Sequence, residues 1–586
     1  MQLPLNTLAP MEATGNIPLA PGTLAAAASI PPENIVGQET VDTLGDSALL
    51  DHLVDRNPRL VAFSLYMWNS ERSAWMAAEL KKRIPGLITV GGGPEVHEDN
   101  RWLLESRAFD LLVSGEGEEI ARRVLNPAEA SRIARESGGF IRSPTGDFPP
   151  GAFPNPWLTG HLDPGAGPVH IETMRGCPFT CVYCSYRRTS PSPRIMRAEE
   201  AASLLRLLSG KGAREIIFLD PAFNIRPDLE LLLKAMEKLP TEFFAEMRGE
   251  TITREMARLT RRAGFTSVEL GLQSTNPKSL ALSGRTGDPA MVLRGASYLA
   301  EAGLKTIMDV MLGLPGDTTE DTLRTVSSLV ERNLHHEVQV FFTSVLPGTP
   351  MRKNFPGDYM RLPPYYGFTG ESLEILAASR EKIADMLGYD LDFPARPVLF
   401  DGWPGTFTLD LDDEAAEAPR SEFRLTSLRV TAKDHWADVN LLVDVVKRMR
   451  ADNPFRQLDL VLLPSRPFPV NLLEILRRTS PPVDYYGRVS GIVGREGNLR
   501  IAVLTDDPAK TGWDWLMTMA GHCTVAVDVP DPADLPGKAW ETGVCARLPG
   551  NSWNMEDLAR RVYSMHQLFF VEKSMERLWS EFMGIL

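Results

Sequence analysis

Strand-like and helix-like segments alternate from residue 169 to about 350 of this 586-residue chain, and nothing else in the sequence restricts its fold as strongly. Strands are expected at 169–174, 215–220, 243–248, 267–273, 306–312 and 337–344. Helical periodicity fills the gaps at 197–209, 228–238, 253–263, 288–302 and 319–333. A helix between two strands brings them back parallel, so a run of such units predicts a partial or full βα barrel. Chemistry in these barrels gathers at the carboxyl ends of the strands.

One such end carries a dense cluster of thiols. Directly after the first strand runs Arg175-Gly-Cys-Pro-Phe-Thr-Cys-Val-Tyr-Cys-Ser, which holds three of the chain's five cysteines, Cys177, Cys181 and Cys184. Iron–sulfur cubanes are held by cysteine thiolates. Three thiolates on one loop cap three irons and leave a fourth open to a substrate or cosubstrate. A structural zinc site is the plainer alternative, but zinc takes four closed ligands in paired knuckles. Cys523 and Cys545 have no cysteine or histidine at knuckle spacing, and His170 lies seven residues ahead of the loop. A disulfide would leave an odd thiol.

A second alternating series precedes the first. Leu60–Leu65, Leu87–Gly91 and Asp110–Val113 read as buried strands and 70–84 as a helix. Gly91-Gly-Gly-Pro94 and Ser114-Gly-Glu-Gly-Glu-Glu-Ile120 follow the last two strands. This predicts a doubly wound, Rossmann-like α/β sheet whose ligand lies beyond the strand ends. It is not a dinucleotide fingerprint: the third glycine is absent, and Glu116, Glu118 and Glu119 would repel a pyrophosphate. The glycines could equally serve as tight strand-to-helix turns.

The expected domains are 1–137, a Pro/Gly-rich ordered linker at 138–168, the barrel at 169–365, and an α/β or α+β accessory part at 366–586. The stretch 410–422 reads as an acidic loop, 458–464 and 501–505 as strands, and 555–586 as helix. Tyr365, Tyr366, Trp403 and Trp553 read as core aromatics before substrate contacts. A net charge of -14 argues against nucleic-acid binding. No run of eighteen apolar residues suggests a membrane span, and no charged n-region suggests a signal peptide, so the expected compartment is cytoplasmic.

Period-two alternation places Glu246 with Arg248, and Glu269 with Gly271 and Gln273, on common strand faces inside the barrel; Asp309 shares a face with Met311. Buried polar groups meet partners or a ligand, so the alternatives are an internal ion-pair network, such as Arg248 with Glu269, or a binding site.

The cysteine spacing with Tyr183 before its last thiol, Asp220-Pro-Ala-Phe-Asn224, Glu269-Leu-Gly-Leu-Gln-Ser274, Gly313-Leu-Pro-Gly-Asp317, Leu346-Pro-Gly-Thr349, Pro154-Asn-Pro-Trp157 and the two N-terminal glycine turns together resemble the cobalamin-binding radical S-adenosylmethionine (SAM) enzymes. The resemblance covers about residues 1–350. It implies a [4Fe–4S] cluster on Cys177, Cys181 and Cys184, and SAM held by Tyr183, Asp220, Asn224, Glu246, Arg248, Gln273 and Arg285. Cobalamin would lie against Ser64, Tyr66, Asn69 and Arg72, with its nucleotide tail beside Gly91, Gly92, Gly93, Pro94, Ser114, Gly115, Glu116 and Gly117. No Asp-x-His-x-x-Gly motif is present to offer a histidine beneath cobalt. Two departures stand out: the first strand lacks β-branched residues, and Gln273 occupies a position where many relatives carry Glu.

The activity this resemblance implies is C-methylation of a small-molecule, natural-product or peptide substrate, with methyl passing from SAM through cobalamin. One variant within the family methylates an aromatic carbon such as a tryptophan indole without a radical. Cyclisation, rearrangement or oxidation without methylation is the second reading, and a non-catalytic cobalamin sensor the third. A flavodoxin or ferredoxin-type electron donor is the expected partner. The C-terminal part is expected to cover the barrel mouth and select substrate.

Overall fold

The computed structural model describes residues 19–144, 148–165, 167–186, 192–354, 359–362, 365–368, 373–388, 391, 398, 400, 403–481, 498–529, 534, 536–548, 550, 553–556, 558, 568–571, 575 and 578. They fall into two compact units: one holds the described residues 19–41 together with those of Leu53–Ala395, the other Asp42–His52 with the described residues of Arg396–Leu586.

The first unit opens with a parallel four-stranded sheet of β1 (Leu60–Ser64), β2 (Ile88–Gly92), β3 (Leu111–Ser114) and β4 (Phe140–Arg142). Its strands lie in chain order, so among the described residues no reversal of strand order marks a switch point. β4 falls inside the expected linker: the left-handed Gly138, at φ 68°, ends the helix Pro127–Ser137 and turns Phe140 and Ile141 into register with β3. The rest of the linker is anchored by Trp157, fully buried and donating its indole N–H to the His170 carbonyl at 2.9 Å.

The barrel sheet holds β5 (Val169–Ile171), β8 (Glu215–Phe218), β9 (Glu242–Met247), β10 (Phe265–Gln273), β11 (Lys305–Leu312) and β12 (Glu337–Phe342), all parallel and adjacent in chain order. Between β5 and β8 a short antiparallel ribbon, β6 (Met174–Arg175) with β7 (Arg194–Ile195), brackets the cysteine loop. A hairpin of β13 (Tyr359–Leu362) and β14 (Tyr365–Phe368) follows the barrel.

Alternation sorts the barrel's two faces. Phe218, Phe243, Val268, Leu270, Met308 and Val310 are all but inaccessible and pack against the surrounding helices. Rings of Phe218, Phe243 and Phe265 pack together at centroid separations near 6 Å, Phe218 stacked on Phe265 and the other two pairs tilted. Each such ring contributes roughly 1.5–3 kcal/mol of burial. The opposite face of the same strands carries Glu246, Glu269, Gly271, Asp309 and Phe341. The fold thus spends one face on stability and keeps the other for chemistry. The helix Pro289–Glu301 packs tightly enough that a Cβ at Gly295 would lie 2.1 Å from the Gly249 carbonyl oxygen.

The second unit is a seven-stranded parallel sheet, again in chain order: β15 (Thr406–Asp410), β16 (Leu425–Ala432), β17 (Gln457–Pro464), β18 (Leu499–Thr505), β19 (Thr524–Asp528), β20 (Cys545–Leu548) and β21 (Leu568–Phe570). β21 corrects the expectation of continuous helix from 555: Leu568, Phe569 and Phe570 pair with Ala546, Arg547 and Leu548, since hydrogen bonding and burial at the sheet edge outweigh helical periodicity. Val562 and Met565 of that expectation lie outside the described residues. The helix Leu373–Leu387, expected in the C-terminal part, belongs to the barrel unit, where Ser379 hydrogen-bonds Thr319 at 2.9 Å. Trp403 is buried core, donating to the Leu425 carbonyl at 2.9 Å; Trp553 packs partly buried against the second unit's core.

Candidate functional site

The cysteine loop begins where β5 gives way to the ribbon, and the turn between them is fastened from below. Asp220, 1% exposed just beyond β8, accepts from the backbone N–H of Thr173 at 2.6 Å and of Met174 at 2.8 Å, and from the Thr173 hydroxyl at 2.5 Å. Burial pushes the Asp220 carboxyl up to about 6 against those hydrogen bonds. Asn224 is likewise committed: its amide donates to the Arg248 carbonyl at 3.0 Å and to Thr251 Oγ1 at 2.8 Å, and accepts from the Arg248 N–H at 2.8 Å. Both side chains were expected to touch SAM; in this structure their hydrogen bonds go to buried backbone and hydroxyl groups of the scaffold.

Other groups clamp the loop from the side. The Arg248 guanidinium sits 4.0 Å over the ring of Phe179, inside the cysteine loop, and pairs with Glu250. The expected Arg248–Glu269 ion pair is therefore not formed. The Val182 N–H donates to the Ser283 carbonyl at 2.9 Å and Thr180 Oγ1 to the Gly284 carbonyl at 2.9 Å. A Cβ on Gly284, whose φ is +64°, would stand 2.4 Å from the Thr180 carbonyl oxygen.

Gln273 ends β10 with φ +68°, a left-handed backbone rare for a side chain of its size. A register shift between Gly271 and Gln273 breaks the simple alternation expected there, because the bulge advances β10 by an extra residue against β11. The Gln273 amide nitrogen consequently lies over Gly271, where a Cβ would be 2.6 Å from it, with the Arg285 guanidinium at 3.4 Å. Arg285 donates to the Gly271 carbonyl. Burial opposes the Arg285 charge, but Tyr183 and Cys181 beside it hold the proton on more strongly, so its pKa rises.

Below this rim lies a group of acids on the inner faces, of which Glu246 was expected at SAM and Glu269 and Asp309 were not assigned to the site. Glu269 faces Glu246 in register across β9, and Gly271 faces Asp309 across β11. Burial, then the charges of Glu269 and Glu246, raise Asp309 well above the usual carboxylate range. Burial raises Glu269 as well, against its interaction with Asp309. Burial and the Glu269 charge push Glu246 up to about 7. Three acids on adjacent inward positions were the available signal; what the sequence lacked was their mutual register.

Around the N-terminal sheet, Ser64, Gly92 and Ser114 end adjacent strands, and the structure brings the turns after them to one rim. Tyr66 stacks on Trp68 at 4.6 Å there. Asn69 and Arg72 are nearly inaccessible and support the loop: Asn69 donates to the Ser64 carbonyl and accepts from the Tyr66 N–H, while Arg72 donates to the Val41 carbonyl. A Cβ on Gly91, Gly93 or Gly117 would strike Leu112, Leu65 or Leu24, so these three glycines answer to protein packing. Gly92 and Gly115 leave room of the kind a ligand needs, and Pro94 sits in the turn between β2 and the next helix. The Glu116 side chain is held in ion pairs with Arg175 and Arg194. This rim and the barrel meet again where Asp99 accepts the Gly348 N–H at 3.0 Å.

Comparison with known proteins gives this pair of sites a common source. Residues 36–125 match the B12 binding domain and residues 171–329 the radical SAM superfamily. The chain carries a B12 binding domain followed by a radical SAM domain. It is 26% identical over 329 residues to 2-(S-pantetheinyl)-carbapenam-3-carboxylate methyltransferase of Streptantibioticus cattleyicolor, covering 50% of this chain and 48% of that protein. It is 24% identical over 340 residues to the cobalamin-dependent radical SAM methyltransferase TokK of Streptomyces tokunonensis, with 50% and 48% covered. The chain thus spans about half the length of these curated relatives. Among solved structures, the radical SAM methyltransferase TsrM of Kitasatospora setae, with tryptophan substrate and a SAM analog bound, aligns with TM-score 0.45 at 18% identity over 58% of this chain and 73% of that one.

The cofactors of these two domains are a [4Fe–4S] cluster, SAM and cobalamin. The residues present fit them. All three loop cysteines are free thiols; burial pushes Cys184 up to about 12, and the neighbouring Cys181 and Cys177 add to the rise, a crowding of thiols that iron relieves. Among the described residues no three His, Cys, Asp or Glu side chains are placed to hold a single ion. Gln273 Oε1, Arg248 Nε and Asp309 Oδ1 are buried without a hydrogen-bond partner, donor and acceptor atoms on the face that a polar ligand such as SAM would fill. Gly92 and Gly115 leave the matching space on the N-terminal rim. Among the described residues no helix is long and apolar enough to cross a membrane.

Proposed function

We propose that this chain is a cobalamin-dependent radical SAM C-methyltransferase acting on a small-molecule substrate. The observation that carries the reading is the joining of the two cofactor rims within one compact unit: the cysteine loop at the carboxyl end of β5 and the glycine turns ending β2 and β3 are tied through Arg175, Arg194 and Asp99. The names of the curated relatives support methylation as the outcome. Once bound, the cluster, SAM and cobalamin supply one-electron chemistry and a methyl carrier.

The chain's own residues do the positioning. Cys177, Cys181 and Cys184 hold the cluster, and Arg248 fixes their loop through Phe179. Gln273 and Arg285 offer a carbonyl oxygen and a guanidinium to SAM at the end of β10. Glu246, Glu269 and Asp309 lie beneath them, and burial raises all three carboxyls above the usual carboxylate range. Apolar Met311 shares the Asp309 face and adds no further charge to it. A reduced flavodoxin or ferredoxin is the electron source this reading requires.

The test is release of S-adenosylhomocysteine by anaerobically reconstituted protein, with reduced flavodoxin, in the presence and absence of cobalamin. The reading expects release only with cobalamin, and a gain of one methylene unit in any accepted substrate. 5′-Deoxyadenosine formed alongside the product marks the radical route; its absence marks the aromatic-carbon route. Cobalamin-independent release would overturn the proposal.

A further inference from the structure

The ribbon that closes the base of the cysteine loop contains an apparent contradiction. Arg175 of β6 stands directly opposite Arg194 of β7 in the antiparallel register. Like charges in register destabilise a strand pair, and this pair is only two residues long. The ribbon therefore needs counter-charge from elsewhere.

Glu172 supplies part of it locally to Arg175, and the rest comes from the other cofactor domain. Glu116, on the turn after β3, accepts from Arg194 Nη1 at 3.0 Å and pairs with its Nη2 as well. The same carboxylate lies 3.5 Å from Arg175 Nη1. Glu118, 9% exposed, takes Arg175 Nη2 at 2.5 Å. Glu172 accepts from Arg175 Nε at 2.8 Å, and the Phe148 carbonyl from Arg194 Nη1 at 2.7 Å. The side chains of Arg175 and Arg194 are 18% and 12% exposed, so solvent screens these pairs weakly. A charge left alone at such a depth is unfavourable.

From this we infer that Glu116 is a positioning residue for the cluster loop and not a contact to cobalamin. Its carboxylate bridges the two arginines whose repulsion would otherwise open the ribbon, so the loop closes only when the B12-binding domain is docked. Glu118 reinforces the same grip on Arg175. Closure of the cysteine loop and seating of the B12 domain are thereby one event, and the separation between the two cofactors is set by side chains that touch neither. This rests on the cysteine loop holding a cluster.

Wild type, Glu116→Ala, Glu116→Gln, Arg194→Ala and the Glu116→Ala/Arg194→Ala double variant are reconstituted anaerobically at limiting iron. Iron and sulfide per chain, the EPR spectrum of the reduced cluster, and hydroxocobalamin affinity by absorbance titration are measured on each full-length protein. The clamp predicts that Glu116→Ala and Arg194→Ala each lower cluster occupancy by about twofold or more and broaden the EPR signal, while cobalamin affinity changes by less than about threefold. The double variant should be no worse than the poorer single one, since both remove the same contact. Glu116→Gln keeps the side-chain shape and one acceptor, should fall between, and carries the comparison if the alanine variant does not fold. Additive losses, or unchanged cluster signals with a loss of cobalamin affinity of about tenfold, would overturn the clamp. Wild type that takes up no iron would instead overturn the cluster reading beneath it.

Discussion

Replacing Asn224 with alanine separates scaffold from ligand contact. The side chain is 5% exposed and makes three hydrogen bonds, two of them to the backbone of Arg248. Truncation leaves the Arg248 N–H buried without an acceptor, worth about 1–3 kcal/mol. The Arg248 carbonyl keeps its bond from Thr251 Oγ1 at 3.0 Å, so losing the Asn224 amide there adds only about 0.5–1.5 kcal/mol. The sum is about 1.5–4.5 kcal/mol of stability in the barrel unit. Because the Arg248 guanidinium lies on Phe179, the cysteine loop should loosen with it. Urea unfolding of apo-protein reads the first effect, and iron retained after reconstitution and desalting reads the second. Asn224→Asp makes the same point by another route: it keeps an acceptor for the Arg248 N–H but turns a carboxylate oxygen toward the Arg248 carbonyl, and should cost at least as much. A variant with wild-type unfolding and wild-type iron but weakened SAM binding by equilibrium dialysis would refute this reasoning and return Asn224 to the ligand.

Further outcomes follow from the same geometry. Glu246 is pushed up to about 7 and Asp309 also upward, so the folded apo-protein holds more protons than the unfolded chain between about pH 4 and 7. Its stability should fall as pH rises through that window, and Glu246→Gln should flatten the slope by up to about 3 kcal/mol, as followed by urea midpoints across pH. Gln273→Gly relieves a left-handed backbone whose strain is about 1–3 kcal/mol, so it should leave stability unchanged or raised while weakening SAM binding in dialysis. Gly284→Ala should displace the cysteine loop by driving a Cβ into the Thr180 carbonyl, and iron content after reconstitution should drop well before the far-ultraviolet circular dichroism changes.

Much of this molecule could be read from local pattern. Period-two and helical periodicities located every barrel strand within about three residues, because one face of each strand is packed against helices and must be apolar throughout. The cysteine loop was legible because thiol chemistry depends on spacing along a single short segment. Where sequence fell short, the missing information was a partner distant in the chain. β4 and β21 are short strands that exist only because a neighbour offers an edge. Asp220 and Asn224 carry the right chemistry for a ligand, and only the fold shows that they also hydrogen-bond Thr173 and Arg248.

The division follows from the range of the forces involved. Helix and strand patterning, the thiol loop and the glycine turns express interactions between residues a few positions apart, and the sequence alone determines them. Whether a buried carboxylate serves a ligand, a backbone amide or another domain's arginine depends on which groups arrive beside it, and only folding assembles that neighbourhood. Glu116 illustrates the difference: its turn was evident from Gly115 and Gly117, but its role was set by two arginines brought opposite each other by a ribbon no periodicity could announce.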